Sequence, residues 1–189
     1  MSRTRLIKHN PAFLSDAELK EGFVARRKEL NILLRILKEN AGSGSMQHIL
    51  VLGHRGMGKT MLVRRLALEV RQKNTLSSHW YPVIFPEEVY DVSTEGELWL
   101  QALNVLANDN EEEPRWRELH ESIRQERDEK RLRPRALAAL QEFSEAVGKR
   151  LLLVVENLQT LFGEQCQADE GWNLRQTLLN QPFVMLVAT

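Results

Sequence analysis

The chain has 189 residues, of which 42% are hydrophobic and 28% charged, a mixture that is typical of one globular domain and excludes a wholly disordered chain. Lys and Arg balance Asp and Glu at 26 each, so no overall basic field points to nucleic acid. The single cysteine, Cys166, excludes an intrachain disulfide, and the lack of a long apolar run excludes a signal core or a membrane span, so we expect a cytoplasmic protein.

Hydrophobic periodicity predicts helices that alternate with short apolar strands. In chain order these are a helix at residues 26–40, a strand at 48–52, a helix at 59–73, a strand at 80–85, a helix at 98–106, a helical segment at 109–149, a strand at 151–155, a helix at 172–179 and a strand at 183–188. This alternation predicts an α/β fold, in which helices cover both faces of a parallel sheet. Because a helix normally covers a core strand, a sequence that stops on one leads us to expect a fragment of a longer protein.

The segment at residues 109–149 is highly charged and contains two prolines with different expected effects. Pro114 suits the first turn of a helix, whereas Pro134 is expected to separate two helices. Opposite charges three or four residues apart, such as Glu121 and Arg124, are typical of a solvated helix. The alternative is an insert that packs against a partner protein.

One glycine-rich motif carries the most specific signal in the chain. It satisfies the pattern G-x-x-x-x-G-K-[ST], and it lies between a predicted strand and a predicted helix. Its residues are Gly53, His54, Arg55, Gly56, Met57, Gly58, Lys59 and Thr60. The glycines allow a tight turn whose N–H groups face phosphate oxygens, and the positive end of the following helix adds to the attraction. The motif therefore predicts a loop that binds the phosphates of a nucleoside triphosphate.

The side chains of this loop have distinct expected roles. Lys59 is expected to contact the β- and γ-phosphates, and the Thr60 hydroxyl to bind Mg²⁺. Met61 follows directly and is included among the predicted nucleotide contacts. His54 and Arg55 occupy variable positions of the motif, and Arg55 either neutralises phosphate charge or is simply solvated.

The third predicted strand ends in Glu156, which is followed by Asn157. An apolar strand that ends in an acid resembles a Walker B element, so we expect Glu156 to be a second Mg²⁺ ligand. Glu stands where Asp is usual, and Asn157 stands where many ATPases keep a catalytic Glu. Asn157 can position a water but cannot accept its proton, so the sequence predicts nucleotide binding without predicting rapid hydrolysis. The alternative is that Glu156 is only a polar strand end.

Residues 23–30 read Phe-Val-Ala-Arg-Arg-Lys-Glu-Leu and lie one predicted helix before the phosphate loop. This arrangement resembles the F-V-G-R-E-x-E-L segment of AAA+-like ATPases, most closely the signal-transducing STAND NTPases and the origin-recognition replication initiators. The resemblance covers roughly residues 22–189. It implies a three-layer α/β/α P-loop NTPase with a parallel sheet in the order 1-4-3-2 and a fifth strand beside strand 1.

In that family the segment lies against the adenine, so the resemblance implies base contacts for Phe23, Val24 and Arg26. The segment departs from the family pattern at two positions, with Ala25 in place of Gly and Arg27 in place of Glu. The alternative for Phe23 and Val24 is a hydrophobic staple on the following helix.

The fourth strand resembles the family strand that ends in sensor 1, which implies a position near the γ-phosphate for Thr189. Nothing in the sequence matches the fifth strand, the arginine finger or the helical lid, so the resemblance implies that these lie beyond Thr189. We therefore divide the chain into an N-terminal extension, residues 1–22, and a P-loop core, residues 23–189, that is truncated before the fifth strand and the lid.

The resemblance implies ATP and Mg²⁺ as cofactors and a nucleotide-dependent switch or motor for domains beyond Thr189. Those domains would bind a protein partner or mediate self-association, and hydrolysis without the finger and lid should be slow. One alternative is a scaffold that holds nucleotide without hydrolysis and recruits a partner. Another is a DNA-loading initiator, since residues 1–73 carry fifteen Lys or Arg against six Asp or Glu, although no DNA-reading motif is recognisable.

Overall fold

A computed structural model describes residues 14–86, 92–158 and 170–189, so Cys166 and residues 1–13 of the predicted extension lie outside the described part. The helices in these ranges are α1 (Asp16–Gly22), α2 (Arg27–Ala41), α3 (Lys59–Gln72), α4 (Asn74–Ser77), α5 (Glu95–Asp109), α6 (Pro114–Ile123), α7 (Glu129–Val147) and α8 (Glu170–Asn180). The strands are β1 (Ile49–Leu50), β2 (Trp80–Ile84), β3 (Arg150–Val155) and β4 (Val184–Ala188). None of these helices combines the length and apolar character that a membrane crossing needs.

The four strands form one parallel sheet in the order β1-β4-β3-β2, which confirms the predicted fold class and strand order. β4 lies between its two partners, and its Ala188 pairs with Leu50 of β1 and with Val155 of β3. The carboxyl ends of β1, β4 and β3 therefore lie side by side. Ligands of open α/β sheets bind at this edge.

Helices cover both faces of the sheet because its interior strands carry apolar side chains on both faces. Successive residues of β3 point to opposite sides, as strand geometry requires. Leu151 and Leu153 join the core formed with α5, α6 and α7, whereas Leu152 and Val154 join the core formed with α2 and α3. Each such buried side chain contributes about 1.5–3 kcal/mol of hydrophobic stabilisation.

The connection between α2 and β1 is held by two polar side chains, although its Gly-Ser sequence suggests flexibility. The buried Asn40 donates from Nδ2 to the carbonyl of Gln47 at 3.0 Å and accepts from the Gln47 N–H at 3.1 Å. Arg150, the first residue of β3, donates to the carbonyls of Asn40 and Ser43. These bonds fix the direction in which the chain enters β1.

The predicted helix break at Pro134 is wrong, because Pro134 lies inside α7. The break falls earlier, between Ile123 and Glu129, where Asp128 caps α7 by accepting from the Lys130 N–H at 3.1 Å. Pro134 is exposed and close to the start of α7, so water can bind the carbonyl that its missing N–H leaves free. Pro114 does occupy the first turn of α6, as expected.

The predicted buried strand at residues 48–52 is shorter and more exposed than expected. Only Ile49 and Leu50 are in strand conformation, although the Val51 N–H also donates to the Ala188 carbonyl at 2.8 Å. Leu50 is 56% exposed and Leu52 is 77% exposed. β1 pairs with β4 along one side only in the described residues, which leaves most of the surface of these two side chains exposed.

Candidate functional site

Residues 51–58 connect β1 to α3 at the carboxyl edge of the sheet, and Lys59 and Thr60 of the motif form the start of α3. Gly56 and Gly58 have φ angles of 83° and 74°, in the left-handed region that glycine adopts without steric cost. Gly58 is the N-cap of α3 and provides no side-chain cap, so the first N–H groups of the helix lack that acceptor. An exposed turn that leads into a helix N-terminus in this way is suited to binding an anion.

Lys59 lies across the loop. Its Nζ donates to the carbonyl oxygens of Gly53 at 2.8 Å and His54 at 3.3 Å. A Cβ added at Gly53 would lie 3.2 Å from the Met57 sulfur and 3.9 Å from Cδ of Lys59, so the turn leaves little room for a side chain there. The ammonium group has two neutral acceptors, and a phosphate oxygen in their place would make a stronger, charge-assisted bond.

Arg26 links the segment before α2 to the loop, because its Nη2 lies 4.0 Å from the position of a Cβ at Gly53. Its φ angle of 64° is left-handed, which is unfavourable for a residue with a side chain. Its Nη1 is buried and has no hydrogen-bond partner within the described part of the chain. Since a buried N–H without an acceptor is costly, this position fits an anionic group bound at the loop.

The apolar residues that were predicted to contact the nucleotide lie in different environments. Phe23 is buried in the core formed with α2 and α3, which favours the packing alternative for this residue. Val24 is exposed on the same segment. A Cβ at Gly22 would lie 3.6 Å from Cε of Met61, so Met61 borders this segment from α3. Val24 and Met61 are therefore the better placed of the three to contact a base.

Glu156 follows β3 and is buried, with its side chain only 1% exposed. Its Oε1 accepts a hydrogen bond from Nε of Arg64 at 3.0 Å. Arg64 lies on α3 four residues after Thr60, so both project from the same face of the helix. Arg64 was not among the residues predicted from the sequence. The only local signal for it is the four-residue spacing from Thr60, because its partner Glu156 is 92 residues away.

Asn157 and Thr189 join the ends of β3 and β4. The backbone N–H of Asn157 donates to Oγ1 of Thr189 at 3.3 Å, and the Thr189 N–H donates to the Val155 carbonyl at 3.0 Å. Thr189 is buried, whereas Asn157 is exposed and has a left-handed φ of 55°, which asparagine tolerates. The exposed Asn157 amide is free to meet solvent, while the Thr189 hydroxyl is held at the junction of the two strands.

The donor set at this edge fits Mg²⁺ bound together with a nucleotide. No cluster of three or more His, Cys, Asp or Glu forms a separate metal site in the described residues. Mg²⁺ in nucleotide sites usually takes one or two protein ligands, several waters and phosphate oxygens. The Thr60 hydroxyl and the Glu156 carboxylate match that need, with the carboxylate already paired to Arg64.

Comparison with known proteins gives a family match over most of the chain. The family model described as AAA ATPase domain matches residues 22–187. The search of curated proteins found no significant match. Among solved structures, the crystal structure of Cdc6p from Pyrobaculum aerophilum is similar to this chain, with 16% sequence identity and a TM-score of 0.48. That alignment covers 93% of this chain and 42% of the Cdc6p chain, so this chain spans less than half of that protein's length.

Proposed function

The chain belongs to the AAA ATPase domain family, and from that premise we propose that it binds ATP with Mg²⁺ at residues 53–60. The observation that carries the proposal is the combination of the glycine turn with two cations that have no anionic partner in the described part of the chain. Lys59 bonds only to backbone carbonyls, and Nη1 of Arg26 is buried without an acceptor in the described residues. A triphosphate supplies acceptors for both side chains.

The binding steps follow from the residues of the site. Lys59 exchanges the Gly53 and His54 carbonyls for β- and γ-phosphate oxygens, and the first N–H groups of α3 donate to the same phosphates. The Thr60 hydroxyl would hold Mg²⁺, with Glu156, the partner of Arg64 one helical turn after Thr60, as the acid. When bound, Mg²⁺ supplies charge neutralisation for the phosphates. Val24 and Met61 contact the base.

The proposed role is a nucleotide-dependent switch or motor in the cytoplasm, with slow hydrolysis in this part of the protein. It acts on domains beyond Thr189, which bind a protein partner or mediate self-association. Two features support slow turnover. Asn157 orients a water without accepting its proton, and the carboxylate of Glu156 is already paired with Arg64.

The experiment that tests ATP binding is substitution of Lys59. Lys59→Ala should weaken Mg²⁺–ATP binding about 10- to 100-fold, because it removes charge-assisted bonds to phosphate. Affinity is measured by isothermal titration calorimetry. The matched control is Lys73→Ala, since Lys73 follows the far end of α3 and pairs with Glu69 at 2.6 Å. Equal affinity of Lys59→Ala and the wild type would reject the proposed site.

A second candidate is a scaffold that binds ATP without hydrolysis and recruits a partner protein. The observation that favours it is Asn157, which cannot act as a general base. Phosphate release from Mg²⁺–ATP separates the candidates. Turnover that Glu156→Gln abolishes supports the ATPase, and tight binding without phosphate release supports the scaffold.

A further inference from the structure

A buried ion pair involves Arg64, which lies one helical turn after the proposed Mg²⁺ ligand Thr60 on α3. The Arg64 side chain is 15% exposed and the Glu156 side chain 1% exposed, with 3.0 Å between Nε and Oε1. The neighbouring Arg65 pairs instead with Glu69, which also binds Lys73. Arg64 is therefore the cation of α3 that neutralises Glu156.

This pairing changes what Glu156 can offer to a metal ion. A buried carboxylate attracts Mg²⁺ strongly because little water screens it, but a guanidinium in contact with it cancels most of that attraction. The guanidinium also repels a divalent cation and attracts phosphate. Both effects favour the binding of metal-free nucleotide, and both reduce the increase in nucleotide affinity that Mg²⁺ provides.

We propose that Arg64 limits the Mg²⁺ dependence of nucleotide binding by keeping Glu156 neutralised. The proposal rests on the proposed function, since it concerns the same ATP site. In this arrangement Thr60 and the phosphates would hold the ion. While Arg64 is bound to Glu156, the carboxylate adds little to the affinity for Mg²⁺–ATP. Arg64 thus acts through its bond to Glu156 and through its charge, and it does not need to contact the nucleotide.

The measurement is the ratio of two dissociation constants for a fluorescent ATP analogue, one in EDTA and one in Mg²⁺. Arg64→Met should raise this ratio at least about tenfold, because the carboxylate is then free to attract the metal and to repel the metal-free phosphates. In Arg64→Met/Glu156→Gln, which removes both charges of the pair, the ratio should return to within about twofold of the wild-type ratio. The matched control is Arg65→Met, which removes one positive charge from the same helix and should leave the ratio unchanged.

Glu156→Gln provides a second test that does not depend on the folding of Arg64→Met. Glutamine keeps the size of the side chain and an oxygen that accepts from Arg64, so this variant should fold. Its ratio should fall below the wild-type ratio, because the positive charge of Arg64 is then uncompensated, repels Mg²⁺ and attracts the phosphates. An unchanged or lower ratio in folded Arg64→Met, an unchanged or higher ratio in Glu156→Gln, or a double variant that keeps the raised ratio of Arg64→Met would overturn the proposal. Failure of the wild type to bind ATP would instead reject the proposed function.

Discussion

Arg26 is held in an unfavourable state by both its backbone and its side chain. Its left-handed φ of 64° costs a non-glycine residue about 1–2 kcal/mol. Its Nη1 is buried without a hydrogen-bond partner in the described residues, which adds a desolvation cost. Strain of this kind often occurs at functional sites, where a ligand compensates for it. At Arg26 the candidate ligand is the nucleotide, because Nη2 lies next to Gly53.

Arg26→Gly should therefore change stability and binding in opposite directions. Glycine accepts the left-handed backbone, so the free energy of unfolding should rise by about 1 kcal/mol, whereas ATP affinity should fall about tenfold. The control is Arg27→Gly, which places glycine in the first turn of α2 and should not stabilise the protein. Urea unfolding and calorimetry measure the two quantities. A less stable Arg26→Gly that binds ATP like the wild type would contradict both expectations.

Single functional residues can be identified from the sequence where the function depends on residues that are adjacent in the chain. The loop at residues 53–60 can be recognised because its glycines, lysine and threonine are consecutive. Arg64 could not be found in this way, since its role comes from a contact with Glu156 across 92 positions. The bond between the Asn157 N–H and Thr189 likewise depends on the pairing of β3 with β4.

Helices α5 and α7 approach each other closely at Gly96. Its N–H donates to Oε1 of Glu129 at 2.9 Å, and an added Cβ would lie 2.6 Å from Oε2 of Glu129 and 2.9 Å from the backbone N of Arg133. The backbone atom cannot move away without displacing α7. Glycine at this position is therefore required by packing between two helices.

Gly96→Ala should lower the free energy of unfolding by about 1–3 kcal/mol, the usual range for overpacking. Gly42→Ala is the matched control, because Gly42 has a φ of −97° and nothing within 4 Å of an added Cβ. Its effect should stay within about 0.5 kcal/mol. Denaturant unfolding measures the free energy of unfolding of both variants. Equal losses in the two would show that the contact between residue 96 and α7 does not limit stability.

The four strands and most of the helices could be predicted from periodicity, but α1 and the short α4 were not predicted and two boundaries were wrong. Pro134 predicts a helix break by its local geometry, yet its exposed position near the start of α7 makes the lost hydrogen bond tolerable. Leu50 and Leu52 predict a buried strand by their apolar character, yet burial depends on what covers β1. Both errors arise because local sequence does not specify the surroundings of an element.

At the scale of the whole molecule, periodicity predicts a parallel sheet but leaves the strand order open. The order β1-β4-β3-β2 was implied by the family resemblance, and it explains why residues from distant segments meet. β4 separates β1 from β3, so Thr189 follows the central strand between the phosphate loop and Glu156. The two-sided core then fixes this edge by packing helices on both faces.

The stability of the whole domain should depend on two partly buried histidines in different regions. Burial lowers the pKa of His48, although the hydrogen bond to the Leu178 carbonyl acts the other way. The Leu186 N–H donates to Nδ1 of His48 at 3.1 Å, which requires that nitrogen to be unprotonated. Burial also lowers the pKa of His120 on α6, and it outweighs the opposing effect of Glu121.

Both shifts predict a loss of stability in mild acid. Because each pKa is lower in the folded chain than the ordinary value of 6.5, the unfolded chain binds more protons below that pH. The contribution is therefore complete above about pH 6.5 and is lost as the pH falls through the lowered values.

His48→Asn keeps an acceptor for the Leu186 N–H and removes one titrating group, so it should reduce the stability difference between about pH 7.5 and about pH 5.5. His120→Gln should do the same independently. Urea unfolding at the two pH values measures the difference, and a difference that neither variant alters would assign the acid sensitivity to other groups.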